Sequence, residues 1–148
     1  MKIINITNIE NPYDLKDFEV NEDTTINFIS RIYDKSFELP IKIIHRKPDL
    51  SSNITIRIAL FGQSQVRIPV EIYVVKGAVN TYTNFQASVF IMSNESKADI
   101  TPSLFIHEKA IRGAGHSLVI KNIKQKDTLY LQSRGIKFEK ARDLIMNL

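Results

Sequence analysis

No cysteine occurs in the 148 residues. Disulfides are therefore excluded, and so is any metal or cluster site built from thiolates of this chain alone. Three histidines, His45, His107 and His116, are the only nitrogen ligands of that kind left. The Asn-Gly and Asp-Gly dipeptides that build the tightest β-hairpins are also missing. No apolar run reaches the roughly 18 residues of a membrane span, and Met1 to Asn8 interleaves polar with apolar residues, unlike a secretory leader. These absences predict a soluble cytoplasmic protein in which the sequons at Asn5, Asn53 and Asn94 stay unmodified. Enzyme signatures are missing as well: there is no phosphate loop, nucleophile elbow, His-Glu-x-x-His zinc helix or Cys-x-x-Cys pair. A catalytic role is not expected.

At 43% hydrophobic and 24% charged, the chain is suited to one domain with a core. Its net charge of +4 is unevenly spread. Residues 1–40 sum to −4, residues 41–106 to +3 and residues 107–148 to +5. An acidic start and a basic end suit an acidic partner or head-to-tail association. A solvated face with ordinary scatter explains them equally well. Nucleic-acid binding is not expected: the sequence pI is about 9.3, but the basic residues are scattered and no aromatic-plus-glycine RNA-binding motif is present.

From Phe18 to Ile120 the sequence is a succession of short β-branched and aromatic runs. Among them are Thr25–Ile29, Ile41–Ile44, Ile54–Leu60, Val70–Val75 and Ala87–Met92. Period-two alternation, as in Ile54, Ile56, Ile58 and Leu60, buries one face and wets the other. A mainly β body over 1–122 is predicted, and no helical period appears before about residue 122. The strands recur every 15–18 residues or so, as solenoid rungs do, and hairpin turns are scarce. On the residues alone, a sandwich of hairpins and a stacked solenoid both remain open. The tail, 123–148, reads as a short helical hairpin: helix over Gln125 to Ser133, a left-handed turn at Gly135, and a second helix with Ala141, Leu144, Ile145 and Leu148 on one face.

His116 follows Gly113-Ala114-Gly115 and precedes Leu118-Val119-Ile120. A neutral imidazole there is available as a metal ligand or proton carrier, although a histidine beside a strand is commonly a structural hydrogen-bonder. His107 and Glu108 are adjacent, so in a strand they point to opposite faces and do not converge on one ion. His45 lies in His45-Arg46-Lys47 and reads as a surface residue.

The stretch from His116 to Tyr130-Leu131-Gln132-Ser133-Arg134-Gly135-Ile136 resembles the C-terminal end of the SufB/SufD proteins, scaffold subunits of iron–sulfur cluster assembly. Val66 to Ala78, Thr81, Gln86 and Pro102-Ser103-Leu104-Phe105-Ile106 follow the order of that family's core, so the resemblance runs from about residue 54. It implies a single-stranded right-handed parallel β-helix closed by a C-terminal helical pair. It also implies a non-catalytic scaffold working with a SufC-like ABC ATPase and with a SufB-like subunit or a second copy of itself. His116 matches the histidine near the interface where a nascent cluster forms, which makes it the cluster-assembly and metal candidate. Tyr130, Arg134 and Gly135 become partner-binding candidates. Lacking the cysteine of SufB, the chain resembles SufD more closely. On that basis no cofactor is held stably by this chain alone, and a transient iron–sulfur cluster would be shared with a partner.

Overall fold

The computed structural model describes residues 1–7, 15–123, 132–137, 139–140 and 143. Within them the chain forms β1 (Lys2–Ile6), β2 (Phe18–Glu19), β3 (Thr24–Tyr33), β4 (Ser36–Glu38), β5 (Ile41–His45), β6 (Ser51–Phe61), β7 (Gln65–Val74), β8 (Tyr82–Ile91), β9 (Lys97–Ile106) and β10 (Gly113–Asn122). The runs expected to be strands fall in these elements, except that Val75 and Met92 each lie one residue past a strand end. Every pairing is parallel. One sheet runs β1-β3-β6-β8-β10, and the other joins β2, β5, β7 and β4, with β9 also on β7. The chain is thus a β-solenoid of about three turns, alternating between two sheets, and the sandwich alternative is set aside.

One strand recurs at the spacing expected, but a full turn needs two. Thr24 pairs with Ser52, twenty-eight residues on, and Tyr82 pairs with Gly113, thirty-one residues on. Because all pairings among the described residues are parallel, no connection between these strands is a hairpin, which is why hairpin dipeptides have no place here. The corners instead use isolated left-handed residues: Asp34, Asp49, Gly62, Gly77 and Asn80 all have positive φ. Glycine is required at Gly62, whose Cβ would fall on the Asp34 carboxylate of the preceding turn. That carboxylate already accepts from the Gln63 N–H at 2.8 Å.

Parallel, in-register stacking turns period-two alternation into columns that run along the solenoid axis. Ile4, Ile26, Ile54 and Phe85 form one inward column, each nearly inaccessible to solvent. Val66, Ile68, Val70, Ile72 and Val74 line the facing sheet from β7. Taking each such side chain out of water contributes about 1.5–3 kcal/mol. Proline is managed by a break: β4 and β5 are separate because Leu39-Pro40 interrupts the strand, opposite Ile68 and Pro69 of β7. A missing N–H at Pro69 therefore faces a gap on that side.

Of the tail, Gln132, Ser133, Glu139, Lys140 and Asp143 are helical. Gly135 has φ +86° and its N–H donates to the Gln132 carbonyl at 3.0 Å, the left-handed turn expected there. Asp143 pairs with Arg31 on the outer face of β3 at 3.2 Å. Most of the expected helical hairpin, including Tyr130, lies outside the described residues. No helix among the described residues is long and apolar enough to cross a membrane.

Candidate functional site

The two sheets end together. Among the described residues β10 pairs only with β8, and β9 only with β7, so both leave one edge of backbone N–H and C=O groups without a strand partner. The inward columns also surface here. Leu118 and Ile120 of β10 are 36% and 44% exposed, and Ile106 of β9 is 38% exposed. At the same column positions one turn below, Ala87 and Val89 are buried.

His116 stands in this open end. It is the fourth residue of β10, inside the strand rather than beside it, and pairs in register with Phe85. Its column is therefore Ile26, Ile54, Phe85, His116: an imidazole at a position the three turns below fill with fully buried apolar side chains. The side chain is exposed and makes no hydrogen bond among the described residues. Gly113 and Gly115 precede it on the outer face, where Gly113 lies beside the Tyr82 ring.

The other candidates are placed differently. Arg134 is exposed and belongs, with Gly135, to the tail turn, whereas Tyr130 lies outside the described residues. Glu108 is a turn-capping group: its Oε2 accepts from the Gly77 N–H at 2.8 Å and its Oε1 from the Ala110 N–H at 3.2 Å. These bonds hold its carboxyl below the usual range. His107 contributes a backbone N–H to the Val74 carbonyl, extending the β7–β9 ladder by one bond. Among the described residues no three His, Asp or Glu side chains converge as a metal cage would require. Grooves of about 590, 350 and 440 Å³ lie on other parts of the surface, and none is lined by His107, Glu108 or His116.

One expectation is overturned. His45 is not a surface residue; it is fully buried. It follows Ile41 and Ile43 on the inward face of β5, and the basic residues after it already lie beyond the strand. Its Nε2 meets the Ser52 hydroxyl at 2.8 Å, and that hydroxyl meets the Thr83 hydroxyl at 2.8 Å. Ser52 and Thr83 are register partners on adjacent turns, with Thr24 in the same column. Burial pushes the imidazole down to about 4, so His45 is neutral at physiological pH. Its Nδ1 has no partner among the described residues. The period-two position of His45 after Ile41 and Ile43 was the available signal for this buried group.

Residues 23–147 match a family model described as the SUF system FeS cluster assembly, SufBD core domain. The chain is 29% identical over 116 residues to an iron–sulfur cluster assembly SufBD family protein of Mycobacterium leprae, covering 74% of this chain and 30% of that protein. It is 28% identical over 116 residues to one of Mycobacterium tuberculosis, covering 74% and 29%. It is 26% identical over 105 residues to one of Staphylococcus aureus, covering 71% and 22%. The matched stretch is thus less than a third of each of these relatives.

Proposed function

This chain belongs to the SufBD core-domain family, and from that premise we propose that it is a non-catalytic, cytoplasmic scaffold for iron–sulfur cluster assembly of the SufD-like kind. The observation that carries the reading is His116. A solenoid core column ends in an exposed imidazole at the face where, among the described residues, both sheets have unpaired edges. Neutral imidazole is a good ligand for iron. With no cysteine in the chain, it supplies one ligand at most, and the thiolates come from a SufB-like subunit whose strands meet these edges. The cluster is cargo, held briefly between two subunits. A SufC-like ATPase engages the tail, where Tyr130, Arg134 and Gly135 are the contact candidates.

Two experiments test this. Affinity capture of the chain from its native host, read by mass spectrometry, should recover an ABC-type ATPase or a second solenoid subunit; recovery of neither refutes the scaffold reading. Anaerobic reconstitution with a cysteine-bearing partner should load cluster on the wild type and less on His116→Ala. Equal loading makes the histidine structural. A second reading has its own support: among the described residues no set of ligands converges, as suits a degenerate solenoid kept as a protein-interaction module without an iron–sulfur role. Capture of a partner with no cluster on reconstitution favours that module.

A further inference from the structure

We propose that the corner formed by the β5–β6, β7–β8 and β9–β10 connections is a docking ridge for an acidic, amphipathic helical segment of a partner protein. The proposal goes beyond the scaffold reading and does not depend on it: His116, the open end and the tail take no part.

The ridge is built by stacking. Connections 46–50, 75–81 and 107–112 join the same two sheets on successive turns, so they lie above one another at the rung spacing of about 4.8 Å. They hold five cations, Arg46, Lys47, Lys76, Lys109 and Arg112, against two carboxylates, Asp49 and Glu108. All five cations are exposed. The corner across the sheets, 34–35, 62–64 and 92–96, holds Lys35 against Asp34 and Glu95. Positive charge is thus gathered on one of these two corners.

Both carboxylates of the ridge are turned into it. Asp49 Oδ1 accepts from Asn80 Nδ2 at 2.7 Å, and Glu108 accepts from the N–H groups of Gly77 and Ala110. Further bonds join one connection to the next: the Asp49 N–H donates to the Val79 carbonyl at 3.0 Å, the Asn80 N–H to the Ala110 carbonyl at 2.7 Å, and Arg112 Nε to the Asn80 carbonyl at 2.9 Å. The backbone of the ridge is therefore fixed before any ligand arrives, which removes an ordering cost from binding. Its lysines are not engaged in the same way. None of Lys47, Lys76 and Lys109 makes an ion pair among the described residues. Lys76 adds to the field on the Glu108 carboxyl without pairing with it. Ammonium groups about one rung apart repel one another, and an anionic partner relieves that repulsion.

Span and chemistry select a helix. Three rungs cover about 10 Å, and carboxylates at i, i+4 and i+7 of a helix cover about 10.5 Å. Val79, 40% exposed, stands on the middle connection and offers an apolar contact to a side chain lying between those carboxylates. A phosphodiester backbone has no group to match it. The three connections also contain no Phe, Tyr or Trp on which a base could stack. One turn lower, connection 20–23 reverses the sign with Glu22 and Asp23, so the basic ridge is limited to about two helical turns.

Fluorescence anisotropy of the full chain with a labelled alanine-based peptide, carrying Glu at i, i+4 and i+7 and one Leu between them, tests this. The expected result is binding at about 0.05 M salt that is lost toward 1 M, where the screening length falls to about 3 Å. Changing Lys47, Lys76 and Lys109 together to Gln should weaken binding about tenfold, at about twofold per exposed charge pair. Changing Lys35, Lys97 and Lys121 to Gln removes as many charges elsewhere and should leave it unchanged. All six lysines are exposed, and far-UV circular dichroism confirms that both variants fold. A wild type that does not bind the peptide at low salt overturns the proposal. Equal weakening in the two triple variants also overturns it, because net charge then suffices. Tighter binding of single-stranded oligothymidylate than of the peptide, lost in the ridge variant, overturns the choice of a polypeptide.

Discussion

His45 couples the stability of the solenoid to pH. The imidazole is sealed inside, with Nε2 on Ser52, and titrates near 4 rather than at the ordinary 6.5. Between these values the unfolded chain binds a proton that the folded chain refuses. Stability is therefore complete above about pH 6.5 and is lost as pH falls toward 4. A difference of about 2.5 pH units corresponds to at most about 3 kcal/mol, of which about 2 kcal/mol is lost by pH 5. In a chain of this size that lowers Tm by roughly 4–8 °C. Replacing His45 by glutamine keeps a polar group near Ser52 and removes the titration. Urea unfolding in dilute solution, followed by circular dichroism from about pH 7.5 to 5, should show the wild type losing about 2 kcal/mol more than His45→Gln. The carboxyls of Asp23 and Glu108 are lowered from values already near 4, so they act below this window. Parallel pH profiles for the two proteins would refute the buried, neutral histidine.

Gly62→Ala places a Cβ on the Asp34 carboxylate at a left-handed φ of 66°. It should cost about 1–3 kcal/mol by urea titration, and Gly77→Ala, with open space around it, should cost less. Ser52→Ala removes the hydroxyl shared by His45 and Thr83, with an expected loss of about 1–3 kcal/mol. Combined with Thr83→Val it should cost less than the sum of the two single changes, measured by a double-mutant cycle. Phe85→Ala empties the core column directly beneath His116, and a loss of about 3–5 kcal/mol in equilibrium unfolding is expected.

Much of this architecture was legible in local pattern. Ile54, Ile56, Ile58 and Leu60 point inward in β6 as their alternation requires, and Gly135 takes the left-handed turn. What remained hidden is non-local. The pairing of Ser52 with Thr83, or of Gln63 with Asp34, joins residues about thirty apart, across turns of 28 and 31 residues that leave no strict repeat to read. At His45 the adjacent charges of Arg46 and Lys47 mask the inward alternation that runs through Ile41 and Ile43. His116 was visible as an unusual residue, but its place at the top of an apolar column depends on register, which sequence spacing alone does not supply.

The register itself has a consequence for how such a chain can grow. Ser51 pairs with Tyr82 and Tyr82 with Gly113, so residues 82–112 constitute a spacing unit whose two ends occupy equivalent positions on adjacent turns. A tandem copy of that unit would insert one more rung, lengthening the rod by about 4.8 Å while returning the same β10 edge and the same histidine to its end. Gain or loss of a whole turn, 28 or 31 residues in this chain, can thus change the length of the molecule without altering the chemistry of its tip, whereas a shorter insertion must be absorbed at a corner.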